Sequence, residues 1–188
     1  LQLPPGVSIE WGGEVKEQAK AFRDLILLLI LGVVLVYMVM AGQFEDFVDP
    51  FIIMFSVPFA FVGVIWAFVL TVTSLNLMSF MGVIMLVGIV VRNAIVLVDY
   101  TKQLREGGMG LNEAIVTGGR TRLRPVLMTS LAMIFGMVPL ALSRGEGSEI
   151  WNALGITIIG GLIVGGFVTL ILVPLLYSLV HRRKAARG

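Results

Sequence analysis

Arg92 and Asn93 stand inside an apolar run over residues 76–98. That run is long enough to cross a bilayer as a helix, which takes about 20 residues. A guanidinium keeps its proton in any protein setting, so neutralisation is closed to Arg92. The next cation toward the end of the run is Lys102, about 15 Å away at about 1.5 Å per residue, too far for an easy reach to the headgroups. Arg92 is therefore expected to point into a helix bundle and to meet an anion or a polar cage. Helix tilt or local thinning of the bilayer is the other way out, since insertion scales put the penalty at only ~3 kcal/mol.

Helical spacing puts Met81, Met85, Gly88, Arg92 and Asp99 on one stripe, with Gly88 one turn before Arg92 and leaving room beside it. On the next apolar segment Arg122, Thr129, Met133 and Gly136 share a face. Two helices thus each offer a polar stripe, although Thr129 has a plainer reading as a hydroxyl bonded to its own helix at i−4. Asp99 lies about 10 Å from Arg92 along the axis, and no other carboxylate falls inside an expected span. The counter-charge to Arg92 is expected from sequence outside these residues. A buried acid facing Arg92 would be held ionised by it and released on protonation, which is how such a pair could gate a conformational cycle.

The elements that carry these residues follow from composition. Of 188 residues, 57% are hydrophobic, and mean hydropathy is +0.97. No ordinary soluble domain reaches such values, so an integral membrane protein is expected. The formal net charge of +2 is small and makes nucleic acid an unsuitable partner. The absence of cysteine excludes a disulfide framework and thiolate metal sites. His181, the one histidine, sits toward the tail. No Ser/His/Asp set, HExxH or phosphate loop is present, so neither an enzyme nor a cofactor is expected.

The expected fold class is an all-α polytopic membrane protein with one extramembrane β-strand before it. Within residues 1–13, Val7 to Trp11 alternate apolar and polar after Pro4, Pro5 and Gly6 and before Gly12 and Gly13, the period of a half-buried strand. Its partner strands would lie upstream, so the chain reads as a piece of a larger protein. Residues 14–24 form a polar helical approach to the membrane domain, 25–182. Spans are expected at 25–42, 50–72, 76–98, 123–142 and 151–180, with 183–188 as a tail. The connection 101–122 is expected to hold a short helix capped by Asn112 and running to Val116.

Lys102, Arg105, Arg120, Arg122 and Arg124 over 101–124, with Arg182, Arg183, Lys184 and Arg187 on the tail, make that side cytoplasmic. Five spans then place the N-terminal strand outside. Trp66, Trp151, Tyr100 and Tyr177 fall where an aromatic belt would. Gly161 and Gly165 make a GxxxG pattern that lets a neighbouring helix approach. Pro58, Pro139 and Pro174 mark expected kinks.

Four runs carry a resemblance: LPPGVSIEWGG over 3–13, PFIIMFSVP over 50–58, GIVVRNAIVLVD over 88–99 and RLRPVLMTS over 122–130. In this order and spacing they resemble the C-terminal end of a resistance-nodulation-division efflux permease of the hydrophobe and amphiphile exporting branch. The resemblance implies a proton antiporter of the inner membrane of Gram-negative bacteria, a multidrug exporter with two six-span repeats and periplasmic porter domains. It implies a homotrimer that works with a periplasmic adaptor protein and an outer-membrane channel. The N-terminal half of the same permease would supply a pair of aspartates that bind the proton, and Arg92 would answer their charge. Asn93, Arg122 and Thr129 match relay positions, and Asp99 joins them on the Arg92 stripe. Many relatives have lysine where this chain has Arg92. A fixed cation keeps the electrostatic role but does not itself release the proton.

Two alternatives stand beside this reading. Ten methionines, including Met38, Met40, Met54, Met78, Met81, Met85, Met128, Met133 and Met137 in or beside spans, point to a heavy-metal exporter that passes Cu(I) or Ag(I) between thioethers. Methionine is also a flexible filler of helix interfaces. The other is a membrane scaffold with no transport cycle, in which Arg92 only pins helix register; two adjacent acids in an earlier span would speak for the antiporter instead.

Overall fold

The computed structural model describes residues 13–145 and 147–185. The strand expected over 1–13 lies, apart from Gly13, outside the described residues, and no strand occurs among them. Six helices follow in order: α1 Glu14–Phe44, α2 Val48–Met54, α3 Val57–Thr71, α4 Leu77–Glu106, α5 Leu111–Ala141 and α6 Ser148–Ala185. Since α2 and α3 run on as one membrane-length segment, five spans are long and apolar enough to cross a bilayer. The described residues form the all-helical bundle of a polytopic membrane protein.

Local chemistry sets the boundaries. Asn76 opens α4 through a capping box: its Oδ1 accepts from Ser79 N at 2.8 Å, and its own N–H donates to Ser79 Oγ at 2.9 Å. The second span breaks between α2 and α3 because Pro58, in the first turn of α3, has no N–H to donate backward. The Ser56 hydroxyl donates to the Ile53 carbonyl at 2.7 Å at that break. The short helix expected through Val116 does not end there, and Asn112 is not its cap. Instead Gly110 caps α5, which continues unbroken through Gly118 and Gly119 to Ala141. Gly118 is needed there, because a Cβ would come within 2.7 Å of Thr101 Oγ1 on α4. Likewise α4 runs past residue 98 to Glu106, and α6 continues through Pro174.

At the centre stands α6, packed against α3, α4 and α5. Its small residues allow the contact: a Cβ on Gly165 would lie 2.9 Å from Ala60 Cβ and 3.3 Å from Val90 Cγ2. On Gly161 a Cβ would collide with Leu86. One apolar core, around Leu86, Val90, Ile158 and Leu162, joins α3, α4 and α6. A second, around Phe44, Ile53, Val91 and Tyr177, gathers α1, α2, α4 and the far end of α6. Most of α1 stays outside both, with Leu27, Leu28, Leu31 and Val39 all exposed.

Candidate functional site

Arg92 projects outward from the middle of α4, and Met81, Met85 and Gly88 on its stripe are exposed with it. A Cβ on Gly88 would meet nothing within 4 Å, so an open channel of surface runs up to the guanidinium. Among the described residues no carboxylate forms an ion pair with Arg92; the pairs present are Arg23 with Asp24 and His181 with Asp49. Asp99, two turns along, is half-buried and accepts from Gln103 Nε2 at 2.9 Å within its own helix.

Asn93, the next residue, turns the other way. It is buried at 6% exposure, and its Nδ2 donates to Ser130 Oγ on α5 at 3.5 Å. That contact fixes the register of α4 against α5 and brings the level of Arg92 to the level of Thr129. Thr129 is exposed like Arg92, but its hydroxyl contacts the Pro125 and Val126 carbonyls at 3.1 and 3.0 Å. The plain reading of Thr129 as a helix-bonded hydroxyl therefore describes this conformation. Arg122, two turns earlier on α5, lies over the Tyr100 ring of α4 with its Cζ 4.4 Å from the ring centroid, a cation–π contact. Its Nε is buried and has no hydrogen-bond partner among the described groups.

The structure thus brings together two levels of one α4–α5 seam: Arg92, Asn93 and Thr129 with Ser130 at mid-helix, and Arg122 with Tyr100 nearer the basic loop. Asp99 belongs to its own helix rather than to Arg92. Of the glycines read as packing positions, Gly161 and Gly165 face neighbours and Gly88 faces none. Ser130 was visible in the sequence only as a hydroxyl beside Thr129.

A further polar cluster escaped sequence reasoning. His181 belongs to α6 rather than to a free tail and lies 3.7 Å from the Asp49 carboxylate, both side chains being buried. Asp49 itself sits in the first turn of α2, inside the second span, where no carboxylate was expected. Tyr177 stacks on His181 with centroids 4.0 Å apart, and its hydroxyl accepts from Arg105 Nη1 at 3.0 Å. It is therefore a buried anchor, not a belt residue, and Tyr100 is half-buried under Arg122. Trp66 and Trp151 remain exposed. Lys102 Nζ donates to the Phe44 carbonyl at 2.6 Å and closes the end of α1.

The methionines divide by position. Met81, Met85 and Met128 are exposed and Met40 is buried, while Met133 and Met137 pack on the α3–α4–α6 core. The described residues hold no group of three or more His, Asp and Glu side chains that could bind a metal.

A family model described as AcrB/AcrD/AcrF matches residues 1–181. The swarming motility protein SwrC of Bacillus subtilis (strain 168) is 39% identical over 190 residues, covering 100% of this chain and 18% of that protein. The multidrug resistance protein MdtC of Proteus mirabilis (strain HI4320) is 37% identical over 179 residues, covering 94% of this chain and 17% of that protein. Two crystal forms of a heavy metal efflux pump are similar in structure at 33% identity each. Form II gives a TM-score of 0.84 over 97% of this chain, and form I gives 0.81 over 96%; the match covers 18% of each pump chain. The chain spans less than a fifth of the length of these relatives.

Proposed function

Because the chain belongs to the AcrB/AcrD/AcrF family of resistance-nodulation-division efflux permeases, we propose that it is the C-terminal membrane part of a proton-driven exporter. In this reading Arg92 is the fixed cation of the coupling site. The observation that carries it is the outward guanidinium on α4, at mid-span, with no carboxylate facing it among the described residues. An isolated charge at that depth costs about 3 kcal/mol on insertion scales. An acid contributed by the rest of the permease would offset that cost and would itself be held ionised.

Protonating the acid removes the attraction. Arg92 then swings toward the Thr129 hydroxyl and the Asn93–Ser130 contact, and α4 and α5 move relative to the missing helices. Arg122, held over Tyr100, keeps the cytoplasmic mouth of the same seam electropositive. Arginine stays protonated throughout, so the proton travels on the acids. The polar seam is the pathway, the basic loop and tail are cytoplasmic, and the permease assembles as a trimer with a periplasmic adaptor and an outer-membrane channel. Energy coupled here drives export of amphiphiles by porter domains outside these residues.

The test is proton-coupled export by the intact permease carrying Arg92→Ala or Arg92→Lys. Loss with alanine and retention with lysine is the expected pattern. Unchanged export with alanine defeats the proposal.

The cargo has a second reading of equal support. A heavy metal efflux pump, in two crystal forms, is among the structural neighbours, and Met81 and Met85 lie exposed on the Arg92 face, where soft thioethers could meet Cu(I) or Ag(I). Growth rescue by the whole gene under metal stress, without rescue under drug stress, selects this reading.

A further inference from the structure

Between α3, α6 and the end of α5 two cavities run into each other. One, of about 380 Å³, is lined by Trp66, Leu70, Ile159 and Ile163, over a floor where Gly63 and Gly160 touch. The other, of about 570 Å³, lies beyond it at the end of the bundle opposite the basic loop. It is lined by Thr73, Ser74, Glu149 and Asn152. Thr71, Ala141 and Ile156 line both, so the two form one groove, apolar along most of its length and polar at its outer end.

Its dimensions and polarity have a common explanation. On α6 the lining runs from Val164 back to Glu149, about 22 Å at about 1.5 Å per residue. That is half of a bilayer about 40–45 Å thick with its headgroups, the depth of one leaflet. Glu149 is the one charged side chain among the described lining residues, and no lysine or arginine joins it. The Ser74 hydroxyl can turn to donate, whereas the Thr73 hydroxyl donates to Thr71 Oγ1 at 2.7 Å, since Thr71 gives its own hydrogen to the Ala67 carbonyl. Below them Asn152 donates from Nδ2 to the Ser143 carbonyl at 3.0 Å, while its buried Oδ1 has no donor among the described groups. An acidic acceptor beside the Ser74 hydroxyl donor, with no basic residue among the described lining residues, suits a headgroup that carries an ammonium N–H and a phosphate together. An anionic headgroup finds no cation there.

We propose that this groove is a binding site for one phosphatidylethanolamine lipid, its acyl chain over Gly63 and Gly160 and its ammonium at Glu149. The site is independent of the proton-coupling seam.

The experiment uses the full-length permease in nanodiscs doped with photoactivatable phosphatidylethanolamine, phosphatidylcholine or phosphatidylglycerol, each with a diazirine on the acyl chain. Label is mapped to peptides covering 63–71 and 156–164. Phosphatidylethanolamine should label these peptides about fivefold more than either other lipid, the equivalent of one partly exposed ion pair. Glu149→Gln should erase that preference, lowering label from phosphatidylethanolamine the most, with phosphatidylcholine falling less and phosphatidylglycerol not falling. Ile163→Trp, which fills the apolar half from an exposed position, should lower label from all three. Equal labelling by all headgroups, indifference to Glu149→Gln, or no label at all because protein covers the groove each overturns the proposal.

Discussion

Two adjacent glycines on α6 allow a controlled measurement of how tightly the bundle is drawn together. An alanine at Gly165 would place its Cβ 2.9 Å from Ala60 Cβ, 3.3 Å from Ala60 Cα and 3.3 Å from Val90 Cγ2, whereas at Gly166 it would meet nothing within 4 Å. Both substitutions gain the same helix propensity, about 1 kcal/mol, so propensity cancels between them. What remains is overpacking at Gly165, which costs about 1–3 kcal/mol when a tight contact must spread. Gly166→Ala should therefore be neutral or stabilising by up to about 1 kcal/mol. Gly165→Ala should be the less stable of the two by about 1–3 kcal/mol. The assay is thermal denaturation of the intact permease in one detergent, with both variants and the parent measured side by side. Equal midpoints, or a higher midpoint for Gly165→Ala, would refute the claim that α3 and α4 converge on α6 at this level.

Other substitutions separate the groups of the α4–α5 seam from those at the basic-loop end of the bundle. Ser130→Ala leaves the buried Asn93 amide without its partner; because that bond is long at 3.5 Å, the expected loss is ~0.6 kcal/mol, near the average for hydrogen bonds between membrane helices, read as a lower melting midpoint. Tyr177→Phe removes the acceptor for Arg105 and should cost about 1–3 kcal/mol with no change in cargo range, checked by melting and by export of several substrates. Gly88→Leu places a side chain in open space in this bundle. It should leave the fold intact yet reduce export at least tenfold if the acidic helix seats against the Arg92 stripe; wild-type export by a well-expressed Gly88→Leu permease would remove that helix from the stripe.

Much of this architecture could be read from sequence because the bilayer imposes a simple rule. Runs of about 20 apolar residues have few alternatives, and five such runs became the five spans. The Arg92 stripe was legible for the same reason: residues at helical spacing share a face whatever packs against them.

What could not be read depends on contacts between distant residues. Nothing near His181 marks it as buried; its position is set by α2 folding back to bring Asp49 to it. Gly107, Gly108 and Gly110 lie at the break between α4 and α5, whereas Gly118 and Gly119 lie inside α5, where Gly118 makes space for Thr101. The break after Met54 follows from Pro58, yet Pro125, Pro139 and Pro174 are accommodated within long helices. Proline alone does not tell a break from a tolerated interruption.

The packing of α6 carries a consequence for biosynthesis. It is the common neighbour of α3, α4 and α5, yet it follows all three in the order of translation. Until it leaves the ribosome the earlier helices lack their shared support. A chain released before residue 160 would lack most of the surface on which α3, α4 and α5 meet.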